Sequence, residues 1–488
     1  MKKITSFIMM ACIFIQVGGH SYANLKVDYD YINSFVDMIN KNYEGYYDNE
    51  SLNSNIVKNM FNYMDDYSKF YTNEELQYLM DSLNGTYKGL GIVMESINDK
   101  IIIVDVIKNS PAEKNGLKYG DEILKVNGTD TFKKSAYDVT KEIKESEGDI
   151  VNLVIKRENV KSDLNHSITM ESIEVNPVNY KIIGNIGYIK LDLFSSNSAD
   201  NILKVINYFR KKEINKLILD LRNNPGGELD QAIKIGELLL PKSKLIAKVN
   251  YYNVDEQDES FYSENESKDF EKVILVNGMS ASASEIVASS IKDNQAGVLV
   301  GDKTFGKAKV QKIFPVLNSN SQKKYFDAMN YRVVNAFDLP EDVISKLKDE
   351  DLLGWVKLTI GQYETLKNSK IDENGITPDY LVENKEFEYD YGLIEKLRKN
   401  VKPKLNQMSV DVYNCEKLLK VLGYSVDQPD LILDKKTFNS IKQFQRDNGL
   451  YGYGVLDFST QEIFNKKLDN ILVNYDNQLM KAIELLKK

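Results

Sequence analysis

Histidine and cysteine are nearly absent: the 488 residues hold 2 of each, with 1 tryptophan and 9 prolines. That scarcity argues against a typical zinc site and against a disulfide framework. Few prolines beside 42% hydrophobic and 28% charged residues exclude a fibrous or disordered chain. No basic excess exists either. A formal net charge of −9 argues against nucleic acid or an anionic membrane surface as the main partner. Past the first residues, nothing reads as a transmembrane helix.

The start of the chain reads as a targeting segment. Lys2 and Lys3 precede an apolar run from Ile4 to Val17, and Ser21-Tyr22-Ala23 is a small-x-small cleavage pattern, which predicts a signal peptide over 1–23. Lipidation at Cys12 is the rival, weakened by the apolar Ile13, Phe14 and Ile15 that follow. An exported protein is expected, membrane-attached if the signal is retained. Once the segment is removed, Cys415 and His166 are the sole residues of their kinds. A hydrolase built on this chain must use His166 or work without imidazole.

The length calls for three or four units. Residues 24–84 are helical in pattern, with Ile32, Phe35, Val36 and Ile39 at helical spacing. Residues 85–172 alternate short strands with glycine turns, including Ile101 to Val106, Ile123 to Val126 and Val151 to Ile155. From 173 to 384, buried strands (Gly187 to Leu193, Leu217 to Leu221, Val273 to Val276, Val298 to Gly301) alternate with helical stretches 198–212, 228–240 and 282–292, an α/β layered core. A polar stretch, 317–353, interrupts it, and Val356 to Tyr363 is expected to resume it. A small helical unit follows at 405–470, and an amphipathic helix closes the chain at 471–488. The fold class is therefore multidomain α+β.

The second unit resembles a PDZ domain. The resemblance rests on Gly89-Leu90-Gly91-Ile92, Ser110-Pro111-Ala112, Gly116-Leu117 and the run Gly120 to Gly128. A Gly-x-Gly-apolar loop lets unencumbered backbone N–H groups converge on a carboxylate, while the adjacent strand edge accepts an extended peptide. The bland alternative is an all-β spacer.

Three segments carry chemistry. Val273 to Ile286 reads strand, tight turn, helix start, and sets Ser280, Ser282 and Ser284 where helix N–H groups can hold an oxyanion. Local reasoning does not choose among these serines, and for this segment alone helix capping is the better explanation. Gly301 to Gln311 brings Lys303, Lys307 and Lys309, and a desolvated lysine can act as the base that a serine hydroxyl needs. Leu219 to Gly227 is strand then glycine-rich loop, able to add an oxyanion donor.

Together these segments resemble the carboxyl-terminal processing, or tail-specific, proteases. The likeness runs from Tyr31 to about Glu383 and includes Met64-Asp65-Asp66-Tyr67-Ser68. The resemblance implies a serine endopeptidase with Ser282 as nucleophile, Lys307 as general base and Gln311 as supporting amide. It places a lesser acidic position at Asp293 and oxyanion N–H donors at Ala283 and one of Gly226 or Gly227. It implies protein substrates led by free C-terminal tails, bound in the groove at Gly89, Leu90, Gly91 and Ile92, with no metal or organic cofactor. PDZ-linked control and a homodimer joined through the helical segments are further expectations. The competing class is a catalytically silent scaffold of PDZ and wall-binding domains.

Two features depart from the family pattern. Ala308 stands where glycine usually follows the lysine. A straight strand, rising about 3.3 Å per residue, would hold Lys307 and Gln311 too far apart, so a bend or an inactive resting geometry is expected. Residues 411–468 look like a peptidoglycan-binding three-helix domain through Leu422-Gly423-Tyr424, Asp434 to Thr437, Phe444-Gln445 and Gly454 to Asp457. There Asp430-Leu431 lacks the usual glycine, so wall attachment competes with plain helical packing.

Overall fold

The computed structural model describes residues 28–487 apart from 47, 159, 253–256, 267–269, 330–332, 368–370 and 384–393, so the expected signal segment lies outside the described residues. The chain divides into two compact units, residues up to Asn84 with Pro177–Asp379, and Gly85–Asn176 with Tyr380–Lys488.

In the first unit, the N-terminal pattern folds as helices Tyr29–Asn42, Asn49–Met60 and Asn73–Leu83. Asp28 caps the first, and Thr72 with Glu75 closes a reciprocal capping box on the third. Between the last two lies a short strand, Lys69–Tyr71, that the helical pattern did not anticipate.

The core of this unit is a layered sheet. Val178–Ile183 pairs antiparallel with Ile186–Leu191, which continues in parallel through Lys216–Asp220, Glu271–Val276 and Val298–Gly301. Helices Ser198–Lys211, Leu229–Leu239 and Ala283–Asp293 connect these strands, and their buried faces share one apolar core with them. Strands buried on both faces read as continuous apolar runs, which is why Leu217 to Leu221 and Val273 to Val276 were visible in sequence.

One expectation is corrected here. Val356 to Tyr363 does not resume the parallel sheet. It lies in the long strand Leu352–Glu364 of a second, antiparallel sheet. That strand pairs with Lys309–Leu317 on one edge, and with Lys69–Tyr71 and Leu245–Tyr251 on the other. The polar stretch 317–353 is thus the connection of an antiparallel pair, which needs no crossover. It buries Leu317, Tyr325, Val333, Ala336, Leu339 and Ile344 as a cluster of its own.

The second unit contains strands Ile92–Ile97, Lys100–Val106, Glu122–Val126, Ile150–Lys156 and Leu164–Thr169 in that spatial order, with helix Ala136–Lys144 packed on the first. His166 sits in the last hairpin, opposite Leu153. The same unit holds the helices Val410–Val421, Lys435–Asp447 and Phe458–Tyr475, whose core stacks Phe444 on Phe464 with ring centroids 3.8 Å apart. Val410 and Leu431 pack against Ile97, Ile102 and Val104 of the strand module. Arg398 reinforces this join, donating to Asp105 Oδ1 and Val104 O while lying over the Tyr119 ring. Leu431 belongs to the segment that departs from the glycan-binding pattern, and its burial in this join accounts for the departure.

Candidate active site

The strand Glu271–Val276 ends in a tight turn, and the helix that follows begins at Ala283. Ser282 caps that helix with φ 54° and ψ −114°, a strained backbone for a non-glycine residue. Such strain persists only where neighbours over-determine it, and here they do. Ala281 N–H and Ser284 Oγ both donate to Asn224 O, at 3.1 and 2.9 Å. Ser280 Oγ donates to Leu221 O and accepts from Asn277 N–H. Ser280 and Ser284 are fully buried, their hydroxyls occupied in holding the turn. Ser282 alone of the three is partly exposed, at the capping box it shares with Glu285. Tertiary structure thereby separates three serines that local sequence could not.

The loop after Lys216–Asp220 closes on this turn. Asn224 donates to Leu191 O and accepts from Gly226 N–H at 2.9 Å. A Cβ on Gly226 would stand 2.8 Å from Ala281 O and 2.9 Å from Ser282 Cβ, so only glycine permits the approach. Gly227 is exposed, and among the described residues neither its N–H nor that of Ala283 donates to a protein group.

A buried carboxylate organises the other half. Glu285 is buried; its Oε2 accepts from the N–H groups of Ser282 (2.9 Å) and Lys307 (2.8 Å), and its Oε1 from Gly306 N–H and Thr304 Oγ1. Burial holds its pKa above the ordinary glutamate value despite those donors. Tyr363, which carried no sequence signal, reaches Lys307 O at 2.7 Å and Ser282 O at 3.2 Å through its hydroxyl. Asp372 accepts from Ala308 N–H and pairs with Lys309 at 2.8 Å. The serine turn and the lysine segment are therefore fixed to each other through shared acceptors and one shared donor.

Lys307 places its ammonium 4.5 Å from the centre of the Tyr67 ring. Tyr67 is delivered by the Met64-to-Ser68 segment, where Asp65 accepts from the N–H groups of Tyr67 and Ser68 and from Thr359 Oγ1. Burial, helped by the nearby charge of Lys357, depresses the Lys307 pKa below the usual lysine value, against the opposing pull of Asp65 and Glu285. Among the described residues no hydrogen bond joins Lys307 Nζ to Ser282 Oγ, and Gln311 Nε2 is buried without a partner. The strand Lys309–Leu317 starts beyond Lys307, and its pairing slips between Val310 and Gln311. The extra residue is Ile360 of the partner strand, so this bulge does not itself bend the segment from Lys307 to Gln311.

Asp293 lies at the far end of helix Ala283–Asp293, about 15 Å from its start at 1.5 Å per residue. It accepts from Lys367 N–H and tethers that loop, so the structure does not bring it to the serine turn.

In the second unit, Leu90 is buried and its carbonyl accepts from Ala112 N–H, while Gly91 O accepts from Ile107 N–H. Gly91 has φ 83°, and a Cβ there would be 2.2 Å from Ser110 Cβ. Ile92–Ile97 is an edge strand with helix Ala136–Lys144 beside it, a groove open to an added strand.

Comparison with known proteins bears on these geometries. The family model for Peptidase family S41 matches residues 185–382, that for the PDZ domain 89–168, and that for a peptidoglycan binding domain 409–463. The carboxy-terminal processing protease CtpA of Bacillus subtilis is 30% identical over 494 residues, covering 99% of this chain and 97% of its own. This chain belongs to the S41 peptidases. A probable CtpA-like serine protease of Staphylococcus aureus (strain COL) is 28% identical, covering 93% of this chain and 84% of its own. Among solved structures, the photosystem II D1 C-terminal processing protease aligns at TM-score 0.40 and 21% identity, over 74% of this chain and 87% of that one. This S41 member is thus a serine-type protease of the carboxy-terminal processing kind, acting on protein and carrying PDZ and peptidoglycan-binding domains.

Proposed function

We propose that this S41 peptidase is an exported endopeptidase that cleaves protein tails with Ser282 as nucleophile and Lys307 as general base. The observation that carries the reading is the division among the serines: Ser280 and Ser284 are buried with their hydroxyls bonded to backbone carbonyls, while Ser282 is partly exposed on the strained cap of the helix. Burial lowers the Lys307 pKa below the ordinary lysine value, the direction that a lysine base requires. The oxyanion would rest on the N–H groups of Ala283 and Gly227, since Gly226 N–H is committed to Asn224. Gln311 Nε2, unpartnered, is available to orient the base.

In this reading the placement over Tyr67 is a resting state, and the ammonium leaves the ring to meet Ser282 on activation. The PDZ groove captures the free C-terminus of a substrate and so regulates cleavage further along the same chain. The N-terminal helices leave Ile32, Phe35, Val36 and Ile39 exposed, and Val36, Ile39, Tyr43 and Leu52 line a cavity of about 590 Å³, which a second copy of the chain would cover in a homodimer. The C-terminal domain would hold the enzyme at the wall. Proteolysis of a disordered protein tests the chemistry: Ser282→Ala and Lys307→Ala each lose several orders of magnitude in rate. Full activity in either variant overturns the assignment.

A further inference from the structure

Lys69 and Lys357 stand directly opposite each other in the antiparallel pairing of Lys69–Tyr71 with Leu352–Glu364. Directly opposed residues project from the same face with Cβ atoms about 5 Å apart, and like charges there are unfavourable. Both ammonium groups lie over one ring, that of Tyr71, at 5.1 and 5.5 Å from its centre. Among the described residues neither lysine forms a contact ion pair, although the charge of Lys69 reaches Glu75. The acids nearby are engaged elsewhere: Glu75 binds Lys58 and Thr72 N–H, and Asp65 serves the Tyr67 turn and Thr359.

The position of this pair gives it meaning. Across the other edge of Leu352–Glu364, Ile313 opposes Lys357, and Gln311 opposes Thr359. Side chains two residues apart on a strand share a face, so Gln311, Thr359, Lys357 and Lys69 line the same surface. Lys357 is close enough to Lys307 to depress its pKa. Two cations without an ion-pair partner in contact, Lys69 feeling Glu75 only at longer range, therefore sit about 7 Å along the strand from Gln311, the span of two residues of extended substrate.

We propose that Lys69 and Lys357 form an anionic subsite that receives a carboxylate of the substrate within about three residues of the scissile bond. The inference rests on the placement of the active centre at Ser282 and Lys307. A carboxylate between the two ammonium groups relieves their repulsion, and the Tyr71 face holds the lysine stems in place. The carboxylate is supplied by a Glu or Asp side chain or by the chain end.

The test is cleavage of disordered peptides carrying Glu or Gln at each position around the cut, with free or amidated C-termini. Wild type favours Glu over Gln at one position by about fivefold in kcat/KM, the scale of a partly exposed ion pair. The ratio falls to near one in Lys69→Gln/Lys357→Gln and at high salt. Both peptides use the same base, so a change in the Lys307 pKa cancels in the ratio. A Glu-over-Gln preference that falls in the double variant assigns the carboxylate to a side chain, and a free-over-amidated preference that falls there assigns it to the chain end. Neither preference in wild type, or both unchanged in the double variant, overturns the subsite. Ser282→Ala run beside them reports separately on the active centre.

Discussion

The two units each carry a glycine-built loop, and the loops are crowded from different directions. Gly226 is pressed by Ala281 O and Ser282 Cβ, atoms of the nucleophile turn itself. Gly91 is pressed by Ser110, which caps the short helix Pro111–Lys114. Both require positive φ, at 105° and 83°. The requirement is the same, yet a violated glycine should damage chemistry in one unit and peptide capture in the other.

Exchanging the two lesions gives the largest contrast. Gly226→Ala is expected to cut hydrolysis of every peptide at least about 100-fold, because the new Cβ displaces Ser282 from a geometry where small shifts matter. Binding of a C-terminal peptide to the strand module should persist. Gly91→Ala should do the reverse, weakening the binding of that peptide while sparing cleavage of short peptides that do not need the groove. Equal effects on both assays would mean that the loops do not have separate tasks.

Glu285 sharpens the comparison, since among the described residues no buried carboxylate clamps the Gly89-to-Ile92 loop. Glu285→Gln keeps the volume but exchanges one accepting oxygen for a donor facing N–H groups. Each lost hydrogen bond to a charged group is worth about 1.5–3 kcal/mol, so a rate loss of about tenfold or more is expected, with a lower melting temperature. Retained rate and stability would show that Tyr363 and Asp372 suffice to hold the lysine segment.

The smallest expected effect is a shift in pH profile. Burial and the charge of Lys357 disfavour the Lys307 ammonium, so its pKa lies below the ordinary lysine value. The neutral amine is the base, so rate climbs as pH passes that lowered value and levels off before the usual lysine range. Removing one positive charge in Lys357→Gln stabilises the ammonium and raises the pKa. The rising limb should therefore move to higher pH, which a kcat/KM profile reads. An acid-ward shift would contradict the electrostatic account.

Much of this architecture was legible in sequence. The apolar strands at Leu217 to Leu221 and Val273 to Val276 announce a buried parallel sheet, and the serine and lysine segments sit where that reading put them. The second sheet was not legible. Its strand Lys309–Leu317 hides behind a lysine-rich segment, and Leu352–Glu364 finds its partners far away in the chain. The choice of Ser282 was equally out of reach locally, because it depends on Asn224 and Leu221 occupying the other two hydroxyls. Tyr363 had no signal at all: a tyrosine in a strand shows nothing of the carbonyls its hydroxyl will meet.

The central claim, that Ser282 is the activated hydroxyl and Lys307 its base, is tested most directly by covalent labelling. Wild-type protein is treated with a fluorophosphonate across a pH series, and the modified residue is mapped by peptide mass spectrometry. The account predicts labelling at Ser282 alone, increasing with pH as Lys307 loses its proton and abolished in Lys307→Ala. Label on Ser280 or Ser284, or undiminished labelling of Ser282 without Lys307, would contradict it.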